Sequence, residues 1–258
     1  MDERGEMTLK TITSSNHPLI KHIVKLRQNR DYRYDQQKLI VEGIKPIEEL
    51  SKKTRFSFIL TYNEAMIPLG AEADEIILVN DVAMKKASGM ESPEGLLAEL
   101  PMPAAASLQS CDNILVFDGV SDPGNVGAML RTALALGWQG AYFLEDSCDP
   151  FNEKALRAAR GATFRLPLAW GGWDPLKELV KARGLTPVVA DISGEPLESF
   201  KEQKGVLLVM GNEARGPSKE AKAFCRRVTI EMPGAMESLN VSVAAGIMMH
   251  ALRPGSKR

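Results

Sequence analysis

Hydrophobic positions in the first hundred residues alternate between helical and extended spacing. Leu19, Ile20, Ile23, Val24 and Leu26 recur at helical intervals and predict a helix over His17–Arg30. Lys38–Val41 reads as a short strand ending at Glu42-Gly43, and Ile44–Lys52 as a helix. Phe56–Thr61, Ile76–Val79 and Leu96–Leu100 are apolar runs of strand length. Asp81 stands where it would cap a helix starting at Val82. The pattern predicts a small mixed α/β unit.

The composition then shifts. PMPAAASLQS, residues 101–110, joins prolines to a run of small residues and marks a linker. We therefore divide the chain into residues 1–103, a connector over 104–110, and a unit over 111–258. In that last unit strand and helix alternate. Ile114–Phe117, Ala141–Leu144, Thr163–Leu166, Pro187–Ala190, Val206–Met210 and Val228–Glu231 read as strands. Val126–Leu136, Asn152–Arg160, Asp174–Arg183, Pro217–Phe224 and Val241–Leu252 read as helices, with Pro217 in a first helical position. This order predicts an α/β domain with a parallel sheet covered on both faces. Ligands of such sheets bind at the carboxyl ends of the strands.

Composition narrows the class. Of 258 residues, 44% are hydrophobic and 25% charged, which excludes chain-wide disorder and fibrous repeats. Val241–Leu252, broken by Ser242 and His250, is shorter than the roughly 18 apolar residues of a membrane span. MDERGEMTLK has no apolar segment and is not a secretory signal; Met7 is an alternative start. Cys111, Cys148 and Cys225 lie far apart, and His17, His22 and His250 have no ligand spacing. Neither a disulfide framework nor a metal site is expected, and the thiols suit a reducing cytoplasm.

Residues 1–60 carry a net charge of +4, residues 61–110 of −6 and the remainder of +1. Lys21, Lys25, Arg27, Arg30 and Arg33 cluster beside Tyr32 and Tyr34, a combination that can grip phosphates and stack on bases. The same run also suits a solvated helix face.

Three loops after predicted strands hold polar residues beyond what packing needs. The first is DGVSDPGNVGAMLR, residues 118–131, where Asn125 is placed to cap a helix and Arg131 lies inside it. Arg131 there either pairs with a carboxylate or faces a cleft. The second, VMGNEARGPS, nearly matches a phosphate loop, but Pro217 takes the lysine position and removes both the charge and an N–H. Triphosphate hydrolysis is thereby excluded. No GxGxxG follows a strand, which argues against dinucleotide chemistry. The third, IEMPGAMESLNVS, places Ser238, Asn240 and Ser242 at the mouth of the last helix. That helix is apolar nearly all round, which implies burial in the core or in a subunit interface.

The three loops, as NVGAMLRTALALG, LVMGNEARGPS and IEMPGAMESLNVSVAAGIMMHAL, resemble the three motifs of the SpoU (TrmH) family of RNA 2′-O-ribose methyltransferases, of the SPOUT class. SSNHPLIKHIVKLRQNRDYR, KLIVEGIKPIEEL and ESPEGLLAEL resemble that family's ribosomal-protein-like substrate-binding domain. The resemblance spans nearly the whole chain. It implies an S-adenosylmethionine-dependent transferase that methylates a ribose 2′-hydroxyl. It also implies a C-terminal trefoil knot, which no strand count reveals because knots are nearly absent among folds. By motif match, Arg131, Asn125, Glu213, Ser238 and Asn240 are the candidate catalytic residues, and Gly211, Asn212, Ile230, Met232 and Leu239 the candidate cofactor contacts. Arginine is a poor base because it is effectively always protonated, so Arg131 either activates the hydroxyl or anchors phosphate. The family further implies a homodimer joined through the C-terminal helix and knot, beside the cytoplasmic location, without membrane or metal, read from the composition above. Ribosomal RNA is the expected substrate. Transfer RNA, or a non-catalytic assembly role on the same fold, is the alternative.

Overall fold

The structure, a computed structural model, describes residues 8–200 and 205–253; Met7 lies outside them. Two compact units divide between Pro103 and Ala104, with residues 151–153 grouped with the first.

The first unit carries strands β1 (Thr8–Ile12), β2 (Lys38–Glu42), β3 (Phe56–Thr61), β4 (Ala73–Val79) and β5 (Leu96–Pro101) in the order β1-β4-β3-β5-β2. The β1, β4 and β3 strands are parallel, and β5 is antiparallel to both β3 and β2. Helices α1 (Pro18–Gln28), α2 (Arg30–Gln36), α3 (Ile44–Ser51) and α4 (Asp81–Ser88) accompany the sheet. Ile20, Ile23 and Leu26 of α1 pack with Met84, Phe58, Leu60 and Ile77 in one core. Each such side chain contributes about 1.5–3 kcal/mol on burial.

Several sequence expectations are corrected. The single helix over His17–Arg30 is two, because Asn29 ends α1 and caps α2, accepting from the Tyr32 N–H at 2.9 Å. Asn80, not Asp81, caps α4 by accepting from the Ala83 N–H at 2.9 Å. The basic cluster is only partly available to a ligand. Arg33 is buried and donates to the Leu26 and Arg27 carbonyls at the end of α1. Arg27 is buried too and donates to the Lys86 and Ala87 carbonyls at the end of α4. These two guanidinium groups satisfy helix-end carbonyls, a structural task. Lys21, Lys25 and Arg30 remain exposed. The Tyr32 ring lies under Lys25 and its hydroxyl is 2.8 Å from His22 Nδ1, while Tyr34 lies under Arg30.

The second unit carries β6 (Asn113–Asp118), β7 (Gly140–Leu144), β8 (Leu168–Gly171), β9 (Thr186–Pro196), β10 (Val206–Gly211) and β11 (Arg226–Thr229). All pairs are parallel, in the order β11-β9-β10-β6-β7-β8. Every residue of β6 and β10 is buried, as expected for central strands covered on both faces. The helices are α5 (Pro123–Ala135), α6 (Glu153–Ala159), α7 (Trp173–Arg183), α8 (Lys219–Phe224) and α9 (Val241–Leu252).

Here too there are differences. Residues 162–164 form a 3-10 turn after Gly161 (φ +85°), and the strand expected over Thr163–Leu166 lies later, as β8. Pro217 precedes α8, whose cap is Ser218. The expected Val228–Glu231 strand is β11, two residues earlier. A Cβ on Gly127 would strike the Ala155 carbonyl and come within 2.6 Å of Ala158 Cβ, so this glycine lets α5 and α6 touch. Burial pushes the Cys225 thiol up to about 12, which leaves it unreactive.

The last helix is not fully buried within the chain. Ala245, Met248 and Met249 face the core and the Trp138 indole donates to the Met249 carbonyl, but Val243 and Ile247 are 51% and 41% exposed. No described helix is long and apolar enough to cross a membrane.

Candidate functional site

The strand order reverses between β6 and β10, since the chain builds β7 and β8 on one side and the remaining strands on the other. Loops at the carboxyl ends of the strands flanking such a reversal form a crevice. Gly211 of β10 pairs with Asp118 of β6 at its lip. Buried Asp118 accepts from the Ser218 N–H at 2.7 Å, tying the two loops together.

The β10 loop closes on itself. Asn212 and Gly216 exchange backbone hydrogen bonds of 3.1 and 2.9 Å. The Asn212 side chain donates to the Gly119 carbonyl at 2.9 Å and accepts from the Ala214 and Arg215 N–H groups at 3.0 Å. Its polar groups are thus spent on holding the loop. A Cβ on Gly211 would lie 2.5 Å from Pro217 Cα and 2.6 Å from the Gly216 carbonyl carbon. Only glycine admits that approach.

Glu213 projects from this loop and collects four donors. They are the Ser121 N–H at 3.0 Å and hydroxyl at 2.9 Å, the Asp122 N–H at 3.0 Å and the Asn125 amide at 3.1 Å. Asn125 Oδ1 in turn accepts from Asn240 Nδ2 at 3.1 Å. Asn240 caps α9, its Oδ1 accepting from Ser242 and Val243. One chain of hydrogen bonds, Glu213–Asn125–Asn240, therefore links all three motif loops. Asn125 is not the cap expected of it: Asp122 takes that place, accepting from the Asn125 N–H at 2.8 Å, and the helix begins earlier, at Pro123.

Burial pulls the Glu213 carboxyl upward, but the Ser121 N–H, the Asn125 amide and the Asp122 N–H outweigh it and hold it at about 2. So low a value makes Glu213 an orienting acceptor and a poor base. Because the folded value lies below the ordinary 4.5, its contribution to loop order is present above about 4.5 and is lost as pH falls towards about 2. The Ser121 and Asp122 amide resonances should titrate with a midpoint near 2, and Glu213→Gln should abolish that titration. A midpoint near 4.5 would refute the network.

Beside this chain lies a cavity of about 420 Å³ at the ends of β10 and β11 and along the middle of β9. Gly211, Asn212, Ile230, Met232 and Leu239 line it, as do Glu213 and Ser238. The volume suits a small-molecule ligand, and the mix of apolar walls with a few polar groups is usual for one. Arg131 is apart: it is exposed on α5, outside the cavity lining. Six residues beyond Asn125, it stands about 9 Å along the helix and about 120° around it. Asp118, Asp122, Ser121 and Asp191 belong to the site and were missed in the sequence. Asp118, Ser121 and Asp122 sit at or just after the end of β6, the signal already used for the three loops, whereas Asp191 lies within β9. Among the described residues no group of three or more His, Cys, Asp or Glu side chains could hold a metal.

Residues 112–250 match the model of the SpoU rRNA methylase family. The chain belongs to this family. Residues 17–98 match an MRM3-like substrate-binding domain, so the SpoU domain follows a second recognised module. This SpoU protein is similar to the 23S rRNA (guanosine(2553)-2′-O)-methyltransferase RlmP of Bacillus subtilis, with 28% identity over 95% of this chain and 100% of that one. It is 30% identical to the 23S rRNA (adenosine(1067)-2′-O)-methyltransferase of Streptomyces laurentii, over 94% of each chain. Its fold matches the AdoMet-bound rRNA methyltransferase of Sinorhizobium meliloti with a TM-score of 0.83, over 94% of this chain and 97% of that one, at 24% identity.

Proposed function

We propose that this chain transfers the methyl group of S-adenosylmethionine to a ribose 2′-hydroxyl of ribosomal RNA. The observation that carries the reading is the cavity of about 420 Å³ set against the Glu213–Asn125–Asn240 chain, in a member of the SpoU family. The relatives named as 23S rRNA 2′-O-methyltransferases support ribosomal RNA as the substrate.

The residues present fit the cofactor. Ile230, Met232 and Leu239 offer apolar walls for an adenine, and the glycine-shaped loop 211–216 keeps the backbone close to it. When bound, the sulfonium supplies a methyl carbon open to in-line attack. The protein's own contribution is placement. Glu213 fixes the Asn125 amide, Asn125 fixes Asn240, and Ser238 lines the same wall. Arg131 brings positive charge to the ribose–phosphate, where it stabilises the oxygen as its proton passes to solvent water. Alignment of hydroxyl and methyl carbon provides much of the rate gain.

A second copy of the chain covers α9 in this reading, since Val243 and Ile247 stand exposed on an apolar helix. The return of the chain from edge strand β11 to α9 is the segment that would thread the family's knot. The test is transfer of labelled methyl groups to unmodified ribosomal and transfer RNA transcripts, followed by nucleoside digestion. Label is expected in a 2′-O-methyl nucleoside of ribosomal RNA; label on a base, or only in transfer RNA, would overturn the reading.

A further inference from the structure

The middle of β9, which belongs to none of the three motifs, adds a carboxylate to the cavity wall. Strand β9 pairs regularly with β11 up to Val189, then breaks register: Arg227 faces Val189 but the next residue, Val228, faces Glu195. Residues 190–194 of β9 thus have no partners on β11. A Cβ on Gly194 would lie 2.5 Å from Val228 N and 2.6 Å from the Arg227 carbonyl carbon, so glycine is what lets the strand rejoin the ladder. Bulges beside active sites commonly re-aim a side chain. The side chain re-aimed here is Asp191, which lines the cavity next to Gly211 and Ile230.

The Asp191 side chain is only 5% exposed. Oδ1 is satisfied by the Ser193 N–H at 2.8 Å and the Ser193 hydroxyl at 2.6 Å. Oδ2 is buried and accepts no hydrogen bond among the described residues. Its nearest cation, Lys222 Nζ, stands 3.4 Å away and is itself 42% exposed. That one long contact with a half-exposed lysine leaves the buried carboxylate oxygen with acceptor capacity that a ligand donor can fill.

We propose that Asp191 Oδ2 accepts a hydrogen bond from a ribose hydroxyl of the bound adenosyl cofactor. This rests on the S-adenosylmethionine reading above. The Lys222 ammonium beside Oδ2 repels a second cation, which disfavours the cofactor's amino group and leaves a neutral hydroxyl as the fitting donor. Carboxylates read nucleoside ribose hydroxyls in the same way in other parallel-sheet crevices.

Calorimetry with S-adenosylhomocysteine and its 2′,3′-dideoxy counterpart tests the contact without turnover. Asp191→Asn keeps an acceptor for Ser193 and removes the charge; Asp191→Ser serves if that variant fails to fold. Loss of a charge-assisted hydrogen bond should weaken S-adenosylhomocysteine at least about tenfold. The variant should bind the dideoxy ligand as the wild type does. Equal losses on both ligands, or no loss on either, would overturn the ribose contact alone. A wild-type chain that binds neither ligand would overturn the cofactor reading and this contact with it.

Discussion

An Arg131→Ala chain should transfer methyl groups about a thousandfold more slowly than the wild type while binding the cofactor within twofold of it. The split follows from placement. Arg131 is exposed and lies outside the cavity lining, so its loss leaves the cofactor's walls intact. In the proposed reading its guanidinium meets the ribose–phosphate. Removing one preorganised group that stabilises a developing oxyanion costs about 10²–10³ in kcat. Alanine is the best helix former and the site is exposed, so the melting temperature should stay within a few degrees. Arg131→Lys discriminates between point charge and planar fork: full rescue indicates charge alone, partial rescue a bidentate grip. Single-turnover rates with saturating cofactor, beside calorimetry, provide the measurement. Wild-type turnover in Arg131→Ala would remove this residue from the chemistry.

Gly211→Ala should show the opposite signature, with cofactor affinity lowered at least about a hundredfold. The added carbon would lie 2.5 Å from Pro217 Cα and 2.6 Å from the Gly216 carbonyl carbon, and neither neighbour is a side chain that can swing away. The loop must move outward, breaking the Asn212–Gly216 exchange and displacing Glu213 with it. Overpacking of this kind costs about 1–3 kcal/mol of stability. A fall in melting temperature should therefore accompany the loss of binding. An affinity within threefold of wild type would mean the loop does not form the cofactor wall.

How much of this was legible beforehand varies with the kind of signal. Parallel strands buried on both faces, such as Val206–Gly211, announce themselves by continuous hydrophobicity. Edge strand β1 does not, because Thr8–Ile12 alternates apolar and polar residues and Leu9 is 52% exposed. Capping depends on one or two residues of offset, which is why Asp122 and Asn80 displaced the expected Asn125 and Asp81. Arg27 and Arg33 read as a ligand-binding run because burial cannot be seen in a charge count. The polar residues of the three motif loops were visible as an excess over packing needs. The Asp191 bulge was not, since a broken register is a relation between two strands that neither sequence displays alone.

The hydrogen bonds that close the site join residues far apart in the chain: Glu213 reaches Asn125 across 88 positions and Asn240 reaches it across 115. Contacts of that separation incur their loop-closure entropy before they return any energy, and they form late in folding. Neither partly folded intermediates nor fragments lacking the last helix would hold this constellation, however well their strands pair. Competence for chemistry is thus tied to completion of the fold, and a half-made domain meets RNA without the arrangement needed to modify it.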